Sequence, residues 1–217
     1  MDFKKYTYAQ LKEISEIFLE VNKFRKGIIP TDIEILIEKS GIIIEAFDDL
    51  RKDFSVKGLV AKDVKDDGRI KIFIDTRHYE EDAFEYKFTL AEELAHILLH
   101  MDFYIGISDV EDYIKKYKSI DDEDYRKYEQ QARNLASFLL LPEKEFNKEV
   151  IAFIDANIED YKIFNFQSPE DFSDKISNLI SKKYELSHHI IYRTIVSRYP
   201  NRIVDIIVDK YTGVLKI

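Results

Sequence analysis

Residues 87–100 read KFTLAEELAHILLH and lie within a helix that we predict over residues 84–100. On a helix, residues four apart occupy one face, about one turn from each other. Metal-dependent hydrolases can place H-E-x-x-H in such a setting, because the two histidines hold one metal ion and the glutamate between them activates its water. Here the spacing is kept, with Glu93 at the glutamate and His96 at the second histidine, but Glu92 stands where the first histidine belongs. Alone, this string is also typical of a solvated helix face.

A second informative helix is predicted over residues 122–141, where it ends before Pro142. It contains YEQQARNLASFLLLP, residues 128–142, whose apolar face would pack beside the first helix. Glu129 could then project toward the same metal ion. A carboxylate is a sensible third ligand, because three protein ligands leave an open position for water. In isolation, Glu129 would be read as an exposed residue near a charged helix start.

Patterning along the rest of the chain predicts an α+β fold, in which helices surround a small antiparallel sheet. Apolar residues at helical spacing predict the helices, and runs of β-branched residues predict the strands. Asp67-Gly68 predicts a tight hairpin turn, because glycine tolerates the positive φ that such turns need. Thr212-Gly213 likewise predicts a hairpin near the end of the sequence. The expected elements are helices over residues 8–24, 31–41, 146–156, 171–183 and 187–197, a strand from residue 42, and hairpins over 56–75 and 203–217.

The composition limits the location and the partners that we expect. The 217 residues include no cysteine, which excludes disulfides and thiolate metal sites and is compatible with a reducing cytosol. No signal peptide or apolar run of membrane-spanning length is visible, so we expect a cytoplasmic protein without a membrane partner. The net charge of −9 disfavours a broad phosphate-binding face and therefore direct DNA binding.

Five segments, taken in order, resemble the ImmA/IrrE family of metallo-endopeptidases. KFTLAEELAHILLH resembles the family pattern F-T-L-A-H-E-L-x-H-I-L-L-H, and EQQARNLASFLLLP resembles E-x-x-A-N-x-F-A-x-x-L-L-x-P. The other three segments are PTDIEILIEKSGIIIE, DGRIKIFID and KYELSHHIIYRTI. The resemblance covers residues 28–199 and implies a zincin-like metallopeptidase domain, which we place at residues 1–160. Residues 161–217 would then hold a helix-turn-helix-like segment and the terminal β-hairpin.

The resemblance assigns a role to each motif residue. His96 corresponds to the second zinc histidine, Glu93 to the catalytic glutamate and Glu129 to the third metal ligand. Zinc is therefore the implied cofactor. Glu92 is the departure, because it replaces the first zinc histidine and thereby changes the chemistry of the site itself.

A carboxylate at position 92 leaves two outcomes open. Glu92 could bind the metal through oxygen, which would weaken the Lewis acidity of zinc and favour a harder ion such as manganese. Alternatively, no metal binds at neutral pH, and the crowded carboxylates of Glu92, Glu93 and Glu129 must share a proton. The sequence favours loss or severe loss of peptidase activity. Two further departures, Arg133 at the usual asparagine and Leu135 at the usual phenylalanine, bear on packing around the third ligand.

Three other residues near the motif are candidates for supporting roles. His100 lies four residues after His96 and could share a metal with it, but Ile97 would then occupy the position of the general base. We therefore expect His100 to support its neighbouring ligand or the helix end. Tyr125 and Tyr128 are candidate oxyanion donors, because they lie near the third ligand.

Two functions follow from this reading. The first is an ImmA/IrrE-like metallo-endopeptidase that cleaves a helix-turn-helix transcriptional repressor and is impaired by Glu92. In that mechanism Glu93 would deprotonate the metal-bound water. The alternative is a catalytically inactive pseudoprotease that acts as a protein-binding regulatory module.

Overall fold

The computed structural model divides the chain into two compact units. The first unit lies within residues 1–26 and 31–140, and the second within residues 27–30 and 141–217. The predicted domain boundary at residue 160 therefore falls inside the second unit. The residues that the structure describes are 4–24, 28–62, 69–104, 107, 110–162, 166–198 and 202–214.

The first unit contains a small sheet and the helices that cover it. Its elements are α1 (Tyr8–Val21), α2 (Ile33–Lys39), β1 (Ile43–Phe47), α3 (Leu50–Phe54), β2 (Gly58–Lys62), β3 (Ile70–Asp75), α4 (Thr76–Glu81), α5 (Ala83–His100), α6 (Val110–Tyr117) and α7 (Asp122–Leu140). A single 3-10 turn, Met101–Tyr104, follows α5. The α+β fold class is confirmed.

The sheet has the strand order β1-β3-β2 in the part of the chain that the structure describes. β2 and β3 form the predicted antiparallel hairpin, with Val60 opposite Ile72. The turn expected at Asp67-Gly68 lies outside the described residues. β1 pairs with β3 in parallel, with Ile44 beside Ile72. The prediction of an antiparallel sheet was therefore wrong: β1 reaches β3 through a crossover, which makes the sheet mixed.

Local signals define the ends of the two helices that carry the motif residues. The Asp82 side chain accepts hydrogen bonds from the backbone N–H groups of Phe84 and Glu85, which caps the start of α5. α7 ends at Leu140, two residues before Pro142, because a residue that precedes proline avoids the helical conformation. Both helices are confirmed close to their predicted bounds.

Packing between α5 and α7 is more extensive than between any other pair of described elements. Ala91 and Ala95 of α5 and Ala132 and Ala136 of α7 are all fully buried. Small side chains allow two helix axes to approach closely. Leu135, one of the two departures in the second motif, is also fully buried. The centre of the first unit is therefore built on a close helix pair.

The second unit is helical throughout its described residues. Its elements are α8 (Glu143–Ala156), α9 (Ile158–Tyr161), α10 (Pro169–Tyr184), α11 (His188–Ser197) and α12 (Ile203–Tyr211). α10 and α11 pack closely and are joined by three residues, of which Glu185 is left-handed with φ 51° and Ser187 caps α11. Two helices joined by so short a turn are compatible with a helix-turn-helix-like segment, which stays a prediction.

The predicted C-terminal hairpin was wrong in its first arm, which is helix α12. Its β-branched residues suggested a strand, but the buried positions are Ile203, Val204, Ile207 and Tyr211, which follow the helical period. Burial at helical spacing therefore prevailed over β propensity. The end of the expected second arm lies outside the described residues. No helix that the structure describes is both long and apolar enough to cross a membrane.

Candidate functional site

The close pair of α5 and α7 brings the predicted motif residues together. Nε2 of His96 on α5 lies 3.8 Å from Oε1 of Glu129 on α7. Glu92 and Glu93 belong to the same turns of α5 as His96, and Arg133 lies one turn after Glu129 on α7. The sequence-based expectation that the two helices converge on one small volume agrees with this geometry.

The deeper part of the site is formed by five buried residues, which we call the floor. They are Glu93, His96, His100, Tyr104 and Tyr128. The Tyr128 ring stacks on both histidine rings, with its centroid 4.2 Å from each. Its hydroxyl is 2.8 Å from the hydroxyl of Tyr104. The floor is thus a packed aromatic cluster.

The two histidines of the floor contact each other through their Nδ1 atoms, 3.1 Å apart. One Nδ1 must carry the proton of this hydrogen bond and the other must accept it. Burial, then the neighbouring His100 and Arg133, lower the pKa of His96 well below its usual value. Burial lowers the pKa of His100 to about 4. Both rings are therefore neutral at pH 7, and Nε2 of His96 faces Glu129.

Glu93, the predicted catalytic glutamate, is buried against strand β2. A Cβ atom on Gly58 would lie 3.2 Å from Cγ and 3.3 Å from Oε1 of Glu93, so a larger residue at position 58 would press on this carboxylate. Its Oε2 has no hydrogen-bond partner among the described residues. Burial, followed by the charges of Glu129 and Glu92, raises the pKa of Glu93 well above the ordinary value. Burial and the neighbouring carboxylates thus favour the protonated form of the Glu93 carboxyl group.

A buried histidine that the sequence did not single out supports the same turn of α5. Nε2 of His78 lies 2.9 Å from Oγ1 of Thr89, one turn before Glu93. Thr89 Oγ1 also donates to the carbonyl of Glu85. Cγ2 of Thr89 would be 3.0 Å from a Cβ on Gly58. His78 and Thr89 thus hold the segment of α5 that packs against β2.

The outer part of the site consists of Glu92, Glu129 and Arg133, which we call the rim. Nε of Arg133 donates to Oε1 of Glu92 at 2.9 Å. Nη2 of Arg133 lies 3.6 Å from Oε2 of Glu129. The side chains of Glu92 and Glu129 are 19% and 17% exposed, and that of Arg133 is 45% exposed. The guanidinium therefore lies between two half-buried carboxylates.

The rim charges alter the acidity of the predicted third ligand. Burial and then the Glu92 carboxylate raise the pKa of Glu129 to about 7, against the opposing effect of Arg133. Sequence reasoning assigned Arg133 only to packing. The signal for its charge role was its position four residues after Glu129, where an ion pair can form on one helix face. Its contact with Glu92 required knowledge of how the two helices pack.

The two predicted oxyanion donors both have hydroxyl groups that bond to other tyrosines. Tyr128 bonds to Tyr104, as described above, and its ring faces the histidines. The hydroxyl of Tyr125 accepts a hydrogen bond from that of Tyr117 at 2.5 Å. His100 contacts His96 directly, and a supporting role for it stays a prediction. The oxyanion roles stay predictions.

The donor set does not fit a zinc ion as these side chains are arranged. His96 and Glu129 converge, but the carboxylate of Glu92 binds the guanidinium of Arg133. Among the residues that the structure describes, no group of three or more histidine, cysteine, aspartate or glutamate side chains could hold a metal ion. Zinc sites use at least three protein donors, and a dication here would compete with Arg133 for the same oxygens. A metal role for Glu92 stays a prediction.

The fold and the motif geometry define the class as a metallopeptidase-like domain. The model of the IrrE N-terminal-like domain family, Peptidase_M78, matches residues 49–155. Residues 49–155 thus form a domain of the ImmA/IrrE type, which confirms the resemblance. The matched range contains α5, α7 and every residue of the floor and the rim. No curated protein matches the sequence.

Proposed function

We propose that this protein is a catalytically silent member of the ImmA/IrrE family that acts by binding a partner protein. The single observation that carries the proposal is the hydrogen bond from Arg133 to Glu92, at the position of the first metal ligand. A metallopeptidase needs its metal to polarise the scissile carbonyl and to lower the pKa of the attacking water. In this protein the residue at the first ligand position is paired with a guanidinium cation, so the site lacks the metal ion that this chemistry needs.

The state of Glu93 supports the same proposal. This carboxyl group is buried, and burial with the charges of Glu129 and Glu92 raises its pKa well above the ordinary value, which favours the protonated form. A protonated carboxyl group cannot act as the general base that the family mechanism assigns to this position. The buried floor nevertheless keeps its packing, so the domain retains the shape that a binding function requires.

The proposed partner is a helix-turn-helix transcriptional repressor. Its support is the family to which residues 49–155 belong, since the resemblance implies repressors of this kind as substrates. A catalytically silent protein would bind such a repressor without cutting it. It would then regulate the repressor by occupying part of its surface. The acidic chain, with a net charge of −9, makes the protein partner a better candidate than DNA itself.

One observation favours a second candidate, a metallo-endopeptidase impaired by Glu92. The 3.8 Å separation between Nε2 of His96 and Oε1 of Glu129 leaves two potential ligands facing each other. For this function Glu92 would have to leave Arg133 and supply a third donor. The resulting site would have one nitrogen and two carboxylates, which suits manganese better than a site with two histidines does.

The test is to mix the unaltered protein with a repressor encoded beside it, in the presence of zinc or manganese. Binding is measured by calorimetry, and cleavage products are sought by mass spectrometry. We expect binding without cleavage, and equal binding by Glu93→Gln. Cleavage by the unaltered protein that disappears in Glu93→Gln would establish the impaired peptidase instead. Absence of binding to the repressor would refute the proposed partner.

A further inference from the structure

Arg133 is placed by α7 between carboxylates from two helices. It lies one turn after Glu129, and its Nε reaches across to Oε1 of Glu92 on α5 at 2.9 Å. Its Nη2 lies 3.6 Å from the Glu129 carboxylate. One guanidinium group thus contacts both carboxylates of the rim.

Glu92 and Glu129 bring two negative charges together, and a cation beside them stabilises the ionised pair. Glu92 and Glu129 are each less than one-fifth exposed, and like charges at partly buried sites destabilise each other. In a metal centre the ion would supply the compensating charge. Here a guanidinium supplies it, and its planar fork of donors suits two carboxylates better than the point charge of lysine would.

We propose that Arg133 takes the electrostatic place of the metal ion, so that Glu92 and Arg133 exclude zinc as a pair. The inference rests on the proposed function, because it states how the site came to be silent. Exclusion of zinc by two residues differs from the loss of the first histidine ligand alone. A histidine at position 92 would restore the missing donor but would leave the guanidinium beside Glu129. That cation would then repel the metal and compete for the carboxylate of its third ligand.

The inference therefore predicts that two changes are needed to create a zinc site. Glu92→His alone leaves the cation in place, and Arg133→Asn alone leaves only one nitrogen donor. In the double variant Glu92→His/Arg133→Asn, the histidine at position 92, His96 and Glu129 form a set of three donors with no cation between them. This set matches the two-nitrogen, one-carboxylate type of zinc site.

The experiment compares the unaltered protein, both single variants and the double variant after removal of metal with a chelator. Zinc stoichiometry and affinity are measured by calorimetry, and thermal unfolding is followed with and without zinc. We expect the double variant to bind one zinc ion, roughly 10-fold or more tightly than Glu92→His, which is the scale on which groups around a ligand alter metal affinity. Zinc should raise the unfolding temperature most in the double variant.

Two matched controls use the Glu92→His background. Arg133→Lys keeps a positive charge in the rim and should leave zinc binding weak. Lys127→Asn removes a positive charge from the same helix, where Lys127 pairs with Glu123 instead of the rim, and should also leave zinc binding weak. Circular dichroism without metal checks that each variant folds.

The outcomes separate this inference from the proposed function. If Glu92→His alone binds zinc as tightly as the double variant, Arg133 does not replace the metal, although the unaltered protein can still be silent. If removal of the Lys127 charge strengthens binding as much as removal of Arg133, the effect is one of general charge and the inference fails. Repressor cleavage by the unaltered protein would instead refute the proposed function.

Discussion

The floor and the rim of the candidate site differ in burial and in how far they depart from the family pattern. The floor is buried, aromatic and neutral in its two histidines, and it keeps Glu93 and His96 at their motif positions. The rim is partly exposed and charged, and it contains both Glu92 and Arg133. The comparison teaches that motif residues can lie in a well-packed interior while the charged side chains beside them depart from the family pattern.

The largest expected effect belongs to the floor. Tyr128 is fully buried and stacks on both histidines. Tyr128→Ala should lower the free energy of unfolding by about 3–5 kcal/mol, the usual cost of deleting a buried aromatic ring. Urea denaturation measures this change. Tyr128→Phe keeps the ring and loses the hydroxyl that bonds to Tyr104, so it should lower the free energy of unfolding by about 1–3 kcal/mol. Equal costs for the two variants would show that stacking contributes little.

The second effect is on the pH dependence of stability, because the pKa of Glu129 is about 7 in the folded protein and has its ordinary value in the unfolded protein. Between about pH 4.5 and 7 the folded state therefore binds more protons than the unfolded state, and stability falls as pH rises through this window. Glu129→Gln has no carboxyl group at this position, so this fall in stability with rising pH should disappear. In a chelating buffer the variant should be more stable than the unaltered protein at pH 8, by up to about 3 kcal/mol, and similar to it at pH 4.5.

A control variant separates this effect from a general change of charge. Glu13 is exposed on α1, and Glu13→Gln removes the same charge from another helix, so it serves as the matched comparison. If Glu129→Gln is instead less stable than the unaltered protein at pH 8, the guanidinium of Arg133 stabilises the ionised Glu129 by more than burial and Glu92 destabilise it. That result would contradict the raised pKa of Glu129.

The third effect tests how tightly the floor packs against the sheet. Gly58→Ala would bring a methyl group within 3.0 Å of Cγ2 of Thr89 and 3.2 Å of Cγ of Glu93. Overpacking of this kind costs about 1–3 kcal/mol, which chemical denaturation can measure. Adding Thr89→Ser removes the nearer obstacle and keeps the hydroxyl for His78, so it should recover part of the loss. No recovery would mean that Glu93 alone resists the methyl group.

The smallest effect is expected at the rim. Arg133→Met removes the charge of a side chain that is 45% exposed and keeps much of its aliphatic volume. Exposed ion pairs contribute little to the free energy of unfolding, and Glu129 can take up a proton when the cation is lost. Arg133→Met should therefore lower the free energy of unfolding by about 1 kcal/mol or less. Lys127→Met on the same helix is the matched comparison. A loss as large as that of Tyr128→Ala would show that the rim, too, holds the fold together.

Much of the first unit could be predicted from the sequence because its signals are local. Helices α5 and α7 followed from apolar periodicity and from Pro142, and the β2–β3 hairpin followed from alternation of apolar residues. The parallel pairing of β1 could not be predicted, since it depends on a crossover between distant segments. Helix α12 was missed because its β-branched residues favour a strand in isolation, whereas burial at helical spacing decides its structure.

The candidate site could be predicted only in part, for the same physical reason. The facing positions of His96 and Glu129 followed from motif spacing on two packed helices. The bond between Arg133 and Glu92 joins residues 41 apart in sequence, and it depends on the register in which α5 and α7 pack. No local pattern encodes that register. The resemblance located Arg133 as a departure, but only the structure showed which carboxylate it binds.

The most direct test of the account is a zinc titration of the unaltered, metal-free protein at neutral pH, followed by its thermal unfolding. A ligand that binds only the folded state raises stability in proportion to the logarithm of its concentration once it exceeds its dissociation constant. The account predicts no saturable rise in the unfolding temperature and no more zinc bound than in His96→Ala. A saturable rise with one zinc ion per chain, lost in His96→Ala, would contradict it.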